Sequence, residues 1–298
     1  MNIIVQCGGG LCNRINNLVN GIYLSGLLGR KLYVWWDLNQ ACHCPLEKLF
    51  SNDFDQNHKE AYSDDFVYYS PFHTDEIQNK VQNKYGEVAR RPLWKHDAYP
   101  NMHTRQADSV SYLSGQIIAE LNAIKSPALI FSSSLILTEV IPESAIGKIL
   151  SDLQPVPELS VRIDSCIKTS NINNSVIGVH LRKTDYNLLD DRRVIRAIKK
   201  YLKADRGKKF LVCSDSMATE EKFKRLYPAN ILSIGEKSFI EKIDPEKTDQ
   251  SFYNLMRTEK SVQSALVDMY LLAHTSLEIF SPISTFAQTA FRLSKTIK

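Results

Sequence analysis

Arg182 and Lys183 follow directly on the apolar run Val176-Ile177-Gly178-Val179-His180-Leu181, and Asp185 stands close behind them. A short apolar run bounded by charge reads as a buried strand. Ligands of open α/β sheets collect at the carboxyl ends of such strands. Two adjacent cations there are costly to bury unless an anion meets them. A diphosphate suits them, because a guanidinium can bind it through two parallel hydrogen bonds. An exposed ion-pair cluster would account for the same residues.

Other strand ends carry polar residues too. Phe210 to Cys213 leads into Ser214-Asp215-Ser216, which can bond a ribose or simply cap the next helix. Leu277 to Phe280 leads into Ser281-Pro282-Ile283-Ser284-Thr285. Thr285 with Gln288 has the spacing of a capping box, so a helix start rich in hydroxyls offers a second anion site. Asp268 lies inside the apolar run Leu266-Val267-Asp268-Met269-Tyr270-Leu271-Leu272. A carboxylate there needs partners. It is able to accept from both N1–H and the amino group of guanine, a donor pair that adenine lacks, and leaving it unpaired would supply the discrimination.

Near the start, Gly8-Gly9-Gly10-Leu11-Cys12-Asn13-Arg14 separates a strand from a helix. Glycines let a phosphate or sugar approach the backbone, and the following helix offers free N–H groups. Asn13 stands where a dinucleotide fingerprint has its third glycine, and no Gly-Lys-Ser/Thr follows, so neither nucleotide-loop pattern is met. A tight strand-to-helix turn explains the glycines equally well.

The elements that must position these residues alternate along the chain. Ile3–Val5 and Leu32–Trp36 read as strands flanking a helix that stops at Gly29. Residues 128–137 read as another strand. Residues 151–157 have linker character, which divides the chain into an N-terminal domain over 1–150 and a C-terminal domain over 151–298. The second half continues with strands at 176–181, 210–213, 231–234 and 277–280. Helices are expected at 194–203, 219–227 and 261–273, and from Phe286 onward. Such alternation argues for two parallel-sheet α/β domains facing a cleft. Residues 38–115 hold five of the seven histidines and read as a loop-rich insertion on the acceptor side. A small satellite core under long loops explains them as well.

The 298 residues, 43% hydrophobic and 23% charged, describe an ordinary globular chain. A net charge of +4 is too mild for a nucleic-acid binder. No run approaches the ~18 apolar residues of a membrane span, and Met1 leads straight into a strand rather than a leader. The expectation is a cytoplasmic enzyme. Nine of the eighteen residues from Arg192 to Lys209 are Lys or Arg. They form either a solvated face or a peripheral contact with the inner membrane surface. The six cysteines are scattered and read as reduced thiols. Cys42-His43-Cys44 lacks a second ligand pair at zinc spacing. The only Asp-x-Asp, Asp53-Phe54-Asp55, reads as surface.

Taken in order, Gly9 to Arg14, His180-Leu181-Arg182-Lys183-Thr184-Asp185, Ser214 to Ser216, Val267 to Ala273 and Ser281 to Ala287 resemble the fucosyltransferase superfamily with the His-x-Arg-Arg-x-Asp motif. That family includes α1,2-, α1,6- and protein O-fucosyltransferases. The resemblance implies a GT-B fold with two Rossmann-like domains. It also implies inverting transfer of L-fucose from GDP-β-L-fucose, held mainly by the C-terminal domain, with no metal or other cofactor; the expected acceptor is a glycan or, from the basic stretch 192–209, a lipid-linked glycan. Carried over by motif, Arg182 binds the β-phosphate. His180 and Asp268 bind the nucleoside. Ser284 and Thr285 help hold the diphosphate. Asn13, with Gly9 and Gly10, faces the fucose and acceptor. Lys183 and Asp215 complete the donor set, and Asp185 is a candidate base or a group that orients Arg182. Lys183 stands where the family has its second arginine. Residues 38–115 match nothing in the family.

Overall fold

The computed structural model describes residues 1–61, 66–69, 89–90, 118–119, 121–133, 135–138, 140–184, 189–242, 255–281 and 284–297. They gather into two compact units, Met1–Asp37 with Asp53–Ile149, and Leu38–Asn52 with Leu150–Lys298.

The first unit is built on strands β1 (Asn2–Cys7), β2 (Lys31–Trp36), β3 (Phe66–Tyr69), β4 (Ala89–Arg90) and β5 (Ala128–Phe131). They form one sheet in the order β2-β1-β5-β3-β4, with every pairing parallel. Ile3, Ile4 and Val5 in β1 and the whole of β5 are fully buried, as expected for strands covered on both faces. Helix α1 (Leu11–Leu28) crosses between β1 and β2 and ends at Gly29, whose φ of 60° is a left-handed conformation that suits glycine. Its buried asparagines face the sheet's end. Asn20 donates to Leu135 O at 2.9 Å and accepts from Leu137 N at 3.0 Å. Asn17 accepts from Ser133 N and donates to Gln6 O at 3.0 Å. These bonds satisfy the backbone after β5 by side chains rather than by a ladder, so the strand expected over 128–137 stops at Phe131.

Two expectations about residues 38–115 change. First, the described part is not only loops, because β3 and β4 extend the sheet. Second, Leu38–Asn52 packs with the second unit, not the first. His43 N donates to Arg257 O and Arg257 N to Gln40 O, while Ser51 N donates to Gln154 O and Val156 N to Leu49 O. Most of 70–117 lies outside the described residues.

The second unit carries a parallel sheet of β6 (Ile177–Leu181), β7 (Phe210–Ser214) and β10 (Ser276–Ile279) in the order β10-β6-β7. A short antiparallel pair, β8 (Glu241–Lys242) and β9 (Leu255–Met256), lies apart from it. Ile231 adds a single parallel bridge to Phe210, so the strand expected over 231–234 is reduced to one residue. The helices are α2 (Glu143–Asp152), α3 (Pro157–Thr169), α4 (Asp191–Ala204), α5 (Met217–Leu226), α6 (Glu259–Ala273) and α7 (Thr285–Ser294). α2 begins in the first unit and ends in the second. Helices α2 and α3 flank a linker shorter than expected, because Pro157 is the first residue of α3, where its missing N–H costs nothing. Val179, Leu181, Val194, Ile198, Phe210 and Phe223 form the heart of the core between β6, β7, α4 and α5. Among the described residues no helix is long and apolar enough to cross a membrane.

Candidate functional site

The second unit brings several of the expected residues to the carboxyl ends of β6 and β7. His180 is the penultimate residue of β6 and is buried, its ring stacked on Phe286 of α7 at 4.7 Å between centroids and 18° between planes. Burial pushes its pKa down to about 3, helped by the nearby charges of Arg182 and Lys237. The imidazole is therefore neutral at any working pH, with one donor and one acceptor nitrogen for a ligand. Arg182, half-buried, follows at the strand end.

The next turn is held by Asp215. Its carboxylate accepts from Lys183 N at 2.7 Å, from Thr184 N at 3.3 Å and from the Thr184 hydroxyl at 2.6 Å. Ribose contact and helix capping were the expected uses of Asp215. The structure makes it the clamp that fixes the backbone just after Arg182, and it is not the helix cap. Capping falls to Ser216, which accepts from Thr219 N at 3.4 Å. Lys183 also departs from expectation. Its ammonium lies against Leu189 O and the Asp191 carboxylate, each at 2.6 Å, and its side chain is only 12% exposed. A cation so placed anchors the start of α4. Asp185 lies outside the described residues.

At the start of α7 the cap is Ser284, one residue earlier than the Thr285–Gln288 pattern suggests. The Ser284 hydroxyl accepts from Ala287 N at 3.4 Å, three residues on, and Thr285 is the first helical residue. Thr285 is half-buried and Ser284 almost fully buried. Pro282 and Ile283 lie outside the described residues.

Asp268 is buried on α6, 4% exposed, and has a partner that sequence reading missed. Lys237 Nζ donates to Asp268 Oδ2, to Glu220 Oε1 and, at 2.8 Å, to Ser214 O. Glu220 also accepts from Ser214 N at 2.7 Å. Burial raises the pKa of Asp268, with the Lys237 ammonium pulling against it. Burial also raises Glu220 to about 7. Lys237 is raised despite burial, because the carboxylates of Asp268 and Glu220 hold its charge. A cavity of 840 Å³, within the roughly 300–1,000 Å³ of small-molecule pockets, has Lys237, Arg162, Cys166, Ile234 and Ser264 in its wall. The signal for Lys237 was available, since it stands three residues after the apolar stretch Ile231–Ile234.

In the first unit, the glycine turn is shaped for close approach. Gly9 has φ of 76°, and a Cβ there would meet Asn13 Nδ2 at 2.9 Å. Gly10 starts α1 without any side-chain cap. Arg14, which closes that motif, is fully buried. It donates to Gly9 O at 2.7 Å and to Asp37 O, and lies over the Trp36 ring. It thus braces the turn that carries the half-buried Asn13. Asp55 forms an ion pair with Lys31 at 2.8 Å. All six cysteines are buried thiols with no disulfide among them, and burial pushes the Cys44 thiol up to about 12. Among the described residues, no three His, Cys, Asp or Glu side chains gather where they could hold a metal ion.

The profile of nodulation protein Z (NodZ) matches residues 128–297, more than half of the chain. No curated protein matches it in sequence. In structure the chain is similar to NodZ alpha-1,6-fucosyltransferase soaked with GDP-fucose, at TM-score 0.61 and 19% identity over 98% of this chain and 91% of that one. It is similar to fucosyltransferase NodZ from Bradyrhizobium, at TM-score 0.62 and 18% identity over 97% and 92%. It is also similar to POFUT1 in complex with GDP-fucose, at TM-score 0.56 and 11% identity over 98% and 94%. Such likeness speaks to the fold, which is GT-B, with Rossmann-like α/β units on parallel sheets. The chain belongs to the nodulation protein Z family.

Proposed function

We propose that this chain is an inverting glycosyltransferase that moves L-fucose from GDP-β-L-fucose to a hydroxyl of a glycan or glycoconjugate. The observation that carries this reading is the convergence of a neutral His180, Arg182 and a buried Asp268 in one unit of a NodZ-family chain. Breaking the bond between C1 and oxygen leaves negative charge on GDP while the sugar becomes cation-like. Arg182, the amides at the start of α7 and the hydroxyls of Ser284 and Thr285 are assigned to the departing charge, where fixed dipoles and cations act most strongly. The mechanism therefore calls for no metal ion. His180 and Asp268 are assigned to the nucleoside, and Asn13, with the Gly9-Gly10 turn, to fucose and acceptor. Lys183, engaged with Asp191, gives no reason to prefer another sugar.

Turnover of a panel of nucleotide sugars by the pure protein tests this. GDP-fucose should be consumed fastest. Faster use of GDP-mannose or a UDP-sugar would overturn the donor assignment, and no turnover of any donor would support a non-catalytic binding protein instead.

The acceptor side is read from charge. Residues 192–209 carry nine cations and one aspartate, a net +8 on a chain of +4, so the remainder carries −4. At about 100° per residue, Arg192, Arg193, Arg196, Lys199, Lys200 and Lys203 fall within an arc of roughly 120°. All six are exposed, opposite the buried Val194 and Ile198. This supports a cytoplasmic enzyme resting on an anionic inner membrane surface, near a lipid-linked acceptor. Arg196, Lys199 and Lys203 changed together to Glu should abolish co-sedimentation with vesicles containing anionic lipid. Retained binding would contradict the assignment.

A further inference from the structure

We propose that Lys237 is a positioning residue for recognition of the donor base: it keeps Asp268 ionised and aimed so that the carboxylate can accept both guanine donors. This rests on the assignment of Asp268 to guanine under the proposed function.

Guanine presents two adjacent donors, N1–H and the amino group, so its partner must offer two acceptors. An ionised carboxylate has about four lone-pair sites, whereas a protonated one turns an acceptor oxygen into an O–H donor. Asp268 is 4% exposed, and isolated burial of that degree drives a carboxyl toward the protonated form. The compensating charge comes from Lys237. Its side chain is 7% exposed, and its ammonium is held from several directions, by Asp268, by Glu220 and by Ser214 O at 2.8 Å. On Asp268 the Lys237 ammonium uses one acceptor site at Oδ2 and the neighbouring Cys213 thiol can use another, so a carboxylate with about four lone-pair sites keeps acceptor capacity for the base. Lys237 is also in the wall of the 840 Å³ cavity, so the network that sets the charge of Asp268 reaches a space a ligand can enter.

Several charged or titratable groups face the pair among the described residues, and Cys166 of α3 also lies within electrostatic reach of Asp268. Lys237 comes from the stretch after Ile231, Glu220 from α5, Cys213 from β7, Arg162 from α3 and His180 from β6. Arg162 adds positive charge toward Asp268 but is itself bonded to Glu236 O and Ser264. His180 is neutral. Glu220 adds negative charge and competes for the ammonium. Lys237 is thus the group whose loss lets Asp268 take up a proton.

The test is calorimetric titration of the full chain with GDP and with ADP. Wild type, Lys237→Met and Lys237→Arg are compared between roughly pH 6 and 9. The series is repeated with Glu220→Gln, to remove the neighbouring carboxyl that titrates near neutrality. Wild type should prefer GDP. Lys237→Met should weaken GDP by roughly tenfold or more and leave ADP within about twofold. Its GDP affinity should recover as pH rises and Asp268 ionises, and Lys237→Arg should keep most of the preference. Should the Met variant not fold, Lys237→Gln is read in the same way. Equal weakening of both nucleotides would make Lys237 merely structural and overturn the proposal. Tighter GDP binding would make it a plug over Asp268 and overturn it too. A wild type with no preference for GDP would sink the guanine assignment itself, and this inference with it. A wild-type preference that survives Lys237→Met would sink this inference alone.

Discussion

Arg182→Ala will lower the transfer rate by roughly 10³-fold, to background, while the protein still unfolds cooperatively within a few degrees of wild type. The size follows from its assigned place. A single donor aimed at developing negative charge in a water-excluded site is worth about 10²–10³ in kcat. Arg182 adds a full charge to that hydrogen bonding, and its fork matches a diphosphate. The backbone just after it is held by other side chains. Asp215 clamps the amides of Lys183 and Thr184, and Lys183 ties the turn to Asp191. Arg182→Lys should recover only part of the rate, because an ammonium lacks the planar fork. Unchanged turnover in Arg182→Ala would remove Arg182 from the mechanism.

Asp268→Asn will weaken GDP by roughly 100-fold and ADP by little, so the base preference largely disappears. Two hydrogen bonds to a charged acceptor, at about 1.5–3 kcal/mol each, are exchanged for an amide that offers one acceptor and a donor facing a donor. Tenfold in affinity corresponds to about 1.4 kcal/mol. The same change removes one half of a buried ion pair, which costs about 3–5 kcal/mol of stability. Titrations therefore belong well below the unfolding midpoint, with folding checked by circular dichroism. Equal weakening of GDP and ADP would show that Asp268 supports the fold and does not read the base.

Much of this was legible in the chain because strand and helix periods alternate cleanly. Ile3 to Val5, Val176 to Leu181 and Phe210 to Cys213 are apolar runs too short for helices, and each is a buried strand. Gly29 stops α1 as its type suggests. What sequence could not show were bonds made across long separations. β5 ends early because Asn17 and Asn20, more than a hundred residues away, take the amides that a ladder would have used. Ile231 pairs once and the chain then turns away, which brings Lys237 onto Asp268. Asp215 has the type and place of a cap or a ribose ligand, and only the fold reveals that it faces the turn beyond β6. Ser284 and Thr285 are both good caps, and the choice between them lies in which hydroxyl reaches an amide three residues on. Lys183 drew attention as a departure from the motif, yet the carboxylate that explains it, Asp191, opens the next helix.

Base selectivity is the property on which the whole account turns, and thermal unfolding reads it directly. A ligand that binds only the native state raises stability by about 2.7 kcal/mol when present at 100 times its dissociation constant. At equal concentrations, GDP should raise the unfolding temperature by several degrees, and ADP, UDP and CMP by distinctly less. A shift with UDP and none with GDP would contradict the assignment of Asp268 to guanine and of this chain to GDP-fucose.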